Sequence, residues 1–257
     1  MNPLTIDLSG KVCVVTGGTS QLGRTMVRTL AQCGADVAIH YKQNQTMAET
    51  LVADATALGV RAIAVAADVT DKASVFAMRD AVLAGLGVAD IIVNNAVSQY
   101  KWTTVLEQAP EDYEGQFQTS VLHNVLMAQA FVPGMIEKGK GGRVIGINTE
   151  CAMQNFPSQS AYVSGKRGMD GVLRILAKEV GVHGITVNQV APGWTISDND
   201  RASGGEIQPG YSDPVPLKRR GTDQEIANVV AFLASDLASF VSGVYLPVCG
   251  GNVMPAI

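Results

Sequence analysis

The chain has 257 residues, of which 47% are hydrophobic and 16% charged, with a net charge of −4. That length and apolar content suit one large α/β domain with a substantial core, and a mildly acidic chain with no basic run argues against nucleic acid or a membrane surface as partner. The four cysteines never form a CxxC and the three histidines lack ligand spacing, so neither a disulfide frame nor a metal site is expected, and the setting reads as cytoplasmic. The stretch Met1–Lys11 has no basic, then apolar leader, and no apolar run approaches the length of a span, so no signal peptide or membrane helix is expected.

In chain order, short β-branched apolar runs alternate with longer helix-period stretches. Strands are predicted at Val12–Thr16, Asp36–Tyr41, Ala62–Ala66, Ile91–Val93, Val144–Asn148, Thr186–Val190 and Val244–Val248. Helices are predicted at Leu22–Cys33, Met47–Leu58, Ala73–Leu86, Glu111–Glu137, Ser160–Val182 and Asp223–Ser235. Strands apolar on both faces belong in a buried parallel sheet. Their alternation with helices gives βαβ units and a Rossmann-type doubly wound sheet of about seven strands. Gly34, Gly59 and Gly87 follow helical stretches, where a left-handed residue ends a helix. Ser197–Gly221, rich in Gly, Pro, Ser and Asp, breaks the rhythm and reads as a mobile flap, with a short helix inside it. Lys218-Arg219-Arg220 within it reads as a solvated turn. We expect a single domain over 1–257, with the flexible substrate lid at about 195–221.

Particular residues carry the chemistry. The first strand runs into Gly17-Gly18-Thr19-Ser20-Gln21-Leu22-Gly23 and then a helix. Strand, glycine-rich turn and helix N-terminus expose backbone N–H groups and a helix dipole to an anion, which makes a phosphate cradle. Further on, Tyr162 and Lys166 are four residues apart, on one face of a predicted helix. An ammonium near a phenol favours the phenolate, and a tuned phenol can pass a proton to or from a carbonyl or alcohol. The spacing alone is a weak signal.

The turn TGGTSQLG resembles the T-G-x-x-x-G-[IL]-G turn of the short-chain dehydrogenases/reductases, with Thr16, Gly17, Leu22 and Gly23 matching and Gln21 where that family has its middle glycine. The marks continue in order along nearly the whole chain: Asp68-Val69, Asn94-Asn95-Ala96 with Val97 in place of a glycine, Tyr162 and Lys166, Pro192-Gly193, and Cys249-Gly250-Gly251 in place of D-G-G. The resemblance implies an NAD(P)-dependent oxidoreductase that interconverts a ketone or aldehyde and an alcohol. It implies a cofactor site at Gly17, Thr19, Ser20, Gln21, Leu22, Gly23, Tyr41, Lys42, Asp68, Val69, Asn95, Ala96, Tyr162, Lys166, Pro192, Gly193 and Thr195. An acidic residue about 20 positions past the glycine turn would select NAD. His40–Gln45 holds none and offers Lys42, so NADP(H) is favoured, with NAD(H) as the alternative.

The resemblance also assigns roles. Tyr162 is the acid/base, Lys166 lowers its pKa and holds the nicotinamide ribose, and Thr149, 13 residues before Tyr162, holds the carbonyl oxygen in place of the usual Ser. Ser120 stands where the family has the Asn of a proton relay, and Asn124 lies one turn later. Substrate contacts are expected from strand-end residues Val97, Tyr100, Glu150, Gln154, Asn155 and Trp194, with Ser98, Trp102 and Cys151 nearby. The expected partners are a small carbonyl or alcohol substrate and further copies of the chain, as a homotetramer or dimer. The competing reading is a cofactor-binding protein with a sensing or scaffold role and little catalysis, which the changes at Gln21, Val97 and Ser120 support.

Overall fold

The computed structural model describes residues 5–254. Seven parallel strands form one sheet in the order β3-β2-β1-β4-β5-β6-β7. They are β1 Val12–Val15, β2 Asp36–Tyr41, β3 Ala62–Ala66, β4 Ile91–Asn94, β5 Gly142–Ile147, β6 Ile185–Pro192 and β7 Tyr245–Val248. The helices are α1 Gln21–Gln32, α2 Gln45–Ala57, α3 Lys72–Gly85, α4 Pro110–Gln116, α5 His123–Lys138, α6 Cys151–Gln154, α7 Ser160–Val180, α8 Asp198–Ser203, α9 Pro209–Ser212 and α10 Asp223–Ala234. The predicted fold class holds, with element boundaries moved by at most two residues. Gly34, Gly59 and Gly87 take φ of +92°, +87° and +103° just past α1, α2 and α3, the left-handed stops expected of them.

Alternation along the strands makes two cores. Cys13 and Val15 of β1 face a cluster with Met26, Leu30, Leu51 and Ile226, so α1, α2 and α10 cover that side. Val12 and Val14 face the other cluster, with Met78, Met127, Leu173 and Val187, beneath α3, α5 and α7. Both faces of β1 and β4 are buried, as the continuous apolar runs required. Strand order reverses between β1 and its neighbours β2 and β4, and the carboxyl ends there open the crevice in which such sheets bind ligands.

One predicted element breaks. The stretch read as a single helix, 111–137, is α4 and α5 joined by a π-helical segment, Phe117–Leu122. Gly165 of α7 crosses close to this break, where a Cβ would come within 2.8 Å of the Gln116 carbonyl. The segment Ser197–Gly221 contains two short helices, α8 and α9, where one had been expected. Among the described residues no helix is long and apolar enough to cross a membrane.

Candidate active site

A cleft of 1010 Å³ runs along the carboxyl ends of β1, β2, β4, β5 and β6. Its floor is the turn after β1. Gly17, at φ +59°, faces Asn95, whose side-chain amide donates to the carbonyls of Thr16 and Gly17 at 3.0 and 3.1 Å. A Cβ on Gly17 would sit 3.0 Å from that amide, and one on Gly23 would strike the Gly17 carbonyl, so both positions need glycine. The Ser20 hydroxyl caps α1 by accepting from the Gly23 N–H. The N–H groups of Thr19, Gln21 and Leu22 have no protein acceptor among the described residues, and they crown a helix N-terminus on the cleft wall. Unspent donors on a positive helix end fit a pyrophosphate.

Of the expected cofactor residues, Gly17, Thr19, Ser20, Gln21, Leu22, Lys42, Asp68, Val69, Asn95, Ala96, Tyr162, Lys166, Pro192, Gly193 and Thr195 line this cleft. Two do not. Gly23 is buried behind the turn. Tyr41 packs on the first core cluster, because strand alternation puts it on the same face as Val37 and Ile39. His40, on the opposite face, was missed: its Nδ1 accepts from the Gly17 N–H at 2.9 Å while its Nε2 meets the Ala67 carbonyl at 3.0 Å. Lys42 forms an ion pair with Asp68 at 2.6 Å, and that contact holds the Asp68 carboxyl down at about 2.

A second cavity, of 1040 Å³, opens beside the first. Thr149, Tyr162, Ser98, Gln99, Gly193 and Trp194 line both, so Thr149 and Tyr162 stand where the two spaces meet. Thr149 is buried two residues past β5, and its Oγ1 accepts from the Cys151 N–H at 3.2 Å, which leaves its own hydrogen to give. The preceding Asn148 was missed by sequence. Its amide donates to the Lys166 carbonyl at 3.1 Å and to Gln189 at 2.7 Å, its oxygen accepts from the Thr149 N–H at 2.9 Å, and so it ties β5 to α7. Tyr245 of β7 adds a hydrogen bond to the Thr149 carbonyl.

Tyr162 and Lys166 lie on one face of α7, as the spacing required, with the ammonium 5.7 Å from the phenol ring centroid. The expected acidification is not produced by this pair. Burial pushes the Tyr162 phenol up, Cys151 adds to that, and the Thr149 hydroxyl pulls the other way. Lys166 is itself buried, pushed down to about 8 by desolvation, and its Nζ donates to the Ile147 carbonyl at 2.6 Å. Tyr100 holds the N-terminus of α7. Gln159 there supplies no side-chain cap, and the Tyr100 hydroxyl accepts from the Tyr162 N–H at 2.8 Å. Trp102 stacks on Tyr162 with centroids 6.0 Å apart.

Ser120 sits in the π-helical segment, buried, and lines neither cavity. Its hydroxyl is without a partner, and among the described residues no hydrogen bond joins it to Lys166. A serine side chain is shorter than the asparagine whose place it takes. Asn124 is committed elsewhere: its amide donates to the Ser120 carbonyl at 2.7 Å and its oxygen accepts from Asn94 at 2.7 Å.

Of the expected substrate residues, Tyr100, Glu150, Gln154 and Trp194 line the second cavity. Val97 faces the nucleotide cleft instead. Asn155 lines neither cavity; it is exposed, caps α6 at φ +59°, and its oxygen accepts from Arg167 at 3.0 Å. Glu150 is buried. Its carboxylate accepts from the Tyr211 hydroxyl at 2.7 Å and the Asn252 amide at 3.1 Å, and burial pushes its pKa up. Tyr211 of α9 and Asn252 near the C-terminus went unread because each reaches the site from far along the chain.

The flap rests on Arg220, which is not in a solvated turn as its cluster suggested. It is 2% exposed and donates to the carbonyls of Trp194, Thr195 and Gly205, at 3.3, 2.7 and 3.2 Å. It also pairs with Asp200 at 2.7 Å and lies 4.5 Å above the Trp194 ring. Gln21, the departure from the glycine pattern, reaches the flap as well. Its Nε2 donates to the Ile196 carbonyl at 2.7 Å and its Oε1 accepts from the Asp198 N–H at 3.3 Å. Arg24, one turn along α1, pairs with Asp198.

A doubly wound sheet with a pyrophosphate-type turn at its switch point, opening onto a Thr–Tyr–Lys cluster, defines an oxidoreductase of the NAD(P)-dependent class. The comparisons with known proteins agree. A family described as Enoyl-(Acyl carrier protein) reductase matches residues 17–252. The 3-oxoacyl-acyl-carrier-protein reductase of Staphylococcus epidermidis is 33% identical over 244 residues, 95% of this chain and 99% of the relative. That of Escherichia coli is 34% identical over 249 residues, 97% and 100%. The crystal structure of an NAD+-bound xylitol dehydrogenase superposes with a TM-score of 0.87 at 27% identity, covering 95% of this chain and 99% of that one. The chain belongs to the short-chain dehydrogenase/reductase family.

Proposed function

We propose that the protein interconverts a ketone or aldehyde and an alcohol by hydride transfer with NADP(H), with Tyr162 as the acid/base. The observation that carries this reading is the junction of the two cavities at Thr149 and Tyr162, with Lys166 on the cleft side. When bound, the nicotinamide supplies the hydride to the carbonyl carbon, or takes it from the alcohol in reverse. Thr149 donates its hydrogen to the carbonyl oxygen and fixes its direction. Tyr162 gives that oxygen its proton as the C–O double bond becomes single, and takes it back in the oxidation. The Lys166 ammonium stabilises the phenolate left behind, a role that falls on the transition state and not on the resting phenol. Ser120 remains the candidate source of replacement protons, by way of water.

The preference for NADP(H) rests on Lys42, 62% exposed at the cleft mouth, and on the lack of a carboxylate at 40–45. Asp68, the carboxylate nearest, is already paired with that lysine. A homotetramer, with α5 and α7 at one interface, is supported by an apolar groove between them and by Ile175, which is 60% exposed. The apolar stretch Val244–Ile257 is the candidate for a second interface, and its last residues lie outside those described. The flap is read as the segment that opens to admit substrate.

The test is a panel of ketones, aldehydes and alcohols followed by NADPH and NADH absorbance, with Tyr162→Phe beside the natural chain. Turnover with NADPH above NADH is expected, and loss of the phenol should lower kcat by about 10²–10⁴-fold with cofactor binding kept. Undiminished turnover in Tyr162→Phe would sink the acid/base assignment. Tight NADPH binding with no turnover on any member would favour the sensing or scaffold reading.

A further inference from the structure

The end of β5 is tied to α7 by more than strand pairing supplies. The Asn148 and Glu150 N–H groups donate to the Val190 and Pro192 carbonyls of β6, at 2.7 and 2.9 Å. Alternation turns the Thr149 N–H between them away from β6. The Asn148 side chain takes it instead, its Oδ1 accepting at 2.9 Å. The nitrogen of the same amide donates to the Lys166 carbonyl at 3.1 Å and to Gln189 Oε1 at 2.7 Å. One side chain therefore holds the main chain of Thr149 and of Lys166, the two residues that act with Tyr162.

The direction of this amide is fixed by its neighbours, since a side-chain amide's oxygen and nitrogen are told apart by the groups they meet. Asp170, paired with Arg174, accepts from Gln189 Nε2 at 2.7 Å. Gln189 must then present its oxygen to Asn148, and Asn148 its nitrogen to Gln189 and its oxygen to Thr149. The Tyr245 hydroxyl stands 3.3 Å from that oxygen and donates to the Thr149 carbonyl. Asn148 is 2% exposed, and both ends of its amide are taken. It borders the nucleotide cleft with nothing left to offer a ligand. The Lys166 Nζ on the Ile147 carbonyl closes the same junction from the other side.

We propose that Asn148 is a positioning residue for hydride transfer, which keeps the Thr149 hydroxyl in register with Tyr162 and Lys166, and that Gln189 orients it. The inference rests on the hydride-transfer reading above. Thr149 follows β5 and the Tyr162–Lys166 pair rides on α7, yet both must meet one carbonyl oxygen. A β-branched residue has few χ1 choices, so the main chain of Thr149 decides where its hydroxyl points. Without Asn148 the Thr149 N–H loses its acceptor and that stretch of main chain is free to turn. A misplacement of about 1 Å costs about 10²-fold in rate.

The experiment measures the single-turnover rate of NADPH oxidation with the fastest of 2-pentanone, cyclohexanone and ethyl acetoacetate, beside the Kd of NADPH. A single-turnover rate does not depend on how much of a variant is folded. Asn148→Ala should lower it about 10- to 100-fold and change the NADPH Kd less than about threefold. Gln189→Met leaves the asparagine in place and removes the group that orients it, and should cost about threefold to tenfold. In a Thr149→Val background, with no hydroxyl left to place, both losses should shrink to about twofold or less. A merely structural asparagine would lower the folded fraction, leave the rate alone and act alike in both backgrounds. Should Asn148→Ala fail to fold, the same cycle with Gln189→Met decides. Unchanged rates, or equal losses with and without the Thr149 hydroxyl, overturn the positioning role and leave hydride transfer standing. A loss of NADPH affinity as large as the loss of rate also overturns it, by placing Asn148 in the nucleotide site. No turnover of any of the ketones by the natural chain overturns this inference together with the reading on which it rests.

Discussion

The glycine turn after β1 is fixed by its backbone: one left-handed glycine, a serine cap and an asparagine amide on two carbonyls hold it, and its free N–H groups line the cleft. The flap, some 180 residues later, is fixed by side chains. A single buried guanidinium ties the flap's Gly205 carbonyl and Asp200 carboxylate to the carbonyls of Trp194 and Thr195 just before it, Tyr211 hangs on Glu150, and Gln21 reaches across from the turn itself. The first region depends on positions where only glycine fits. The second depends on long polar side chains that meet only in the folded molecule, so it should open without disturbing the first.

The sharpest way to break this contrast is Arg220→Met. It should free the carbonyls of Trp194, Thr195 and Gly205, expose residues 197–221 to limited proteolysis and lower kcat/KM tenfold or more. NADPH affinity should change far less, and Tm should fall by about 5 °C or more. Unchanged protease resistance of the flap would show that Arg220 is not its anchor.

A pH profile probes the junction between the two regions. Lys166 is held down to about 8 by desolvation, so it is charged below that pH and neutral above it. Burial keeps the Tyr162 phenol protonated through the same range, and the buried His123, held down to about 3, stays neutral. If reduction needs the ammonium, kcat/KM falls about tenfold per pH unit above roughly 8, the limb of a free-enzyme group. Lys166→Arg, charged at every working pH, should lose that limb even if its rate is lower. A flat profile to pH 10 in the natural chain would remove Lys166 from the reaction.

The smallest effect is expected where the regions touch. Gln21→Gly restores the family residue and releases the Ile196 carbonyl and the Asp198 N–H. Substrate KM should rise about threefold, an effect of the size of one hydrogen bond, with NADPH binding unchanged or tighter. Weaker NADPH binding measured by calorimetry would mean that Gln21 serves the dinucleotide, and the contrast would lose its boundary.

What could be read in advance follows the same division. Strand runs such as Val12–Val15 declare a buried parallel sheet, and Tyr162–Lys166 declare a shared helical face, because period and spacing are local facts. Thr149 came through resemblance. The π-helical break at Phe117–Leu122 was not legible, since it arises where α7 presses on Gln116. Arg220 looked solvated because its partners lie 15 to 26 residues away, and Glu150 was read only as a substrate contact because Tyr211 and Asn252, which take up its carboxylate, lie 61 and 102 residues away. Asn148, beside a residue already singled out, was hidden by strand alternation, which sends neighbouring side chains to opposite faces.

The bond between Asn252 and Glu150 has a practical side. The pocket wall is completed by Asn252, whose main-chain carbonyl also steadies Gln154. Deleting Asn252 would strip Glu150 and Gln154 of a partner at once, although it stands about a hundred residues from either in sequence.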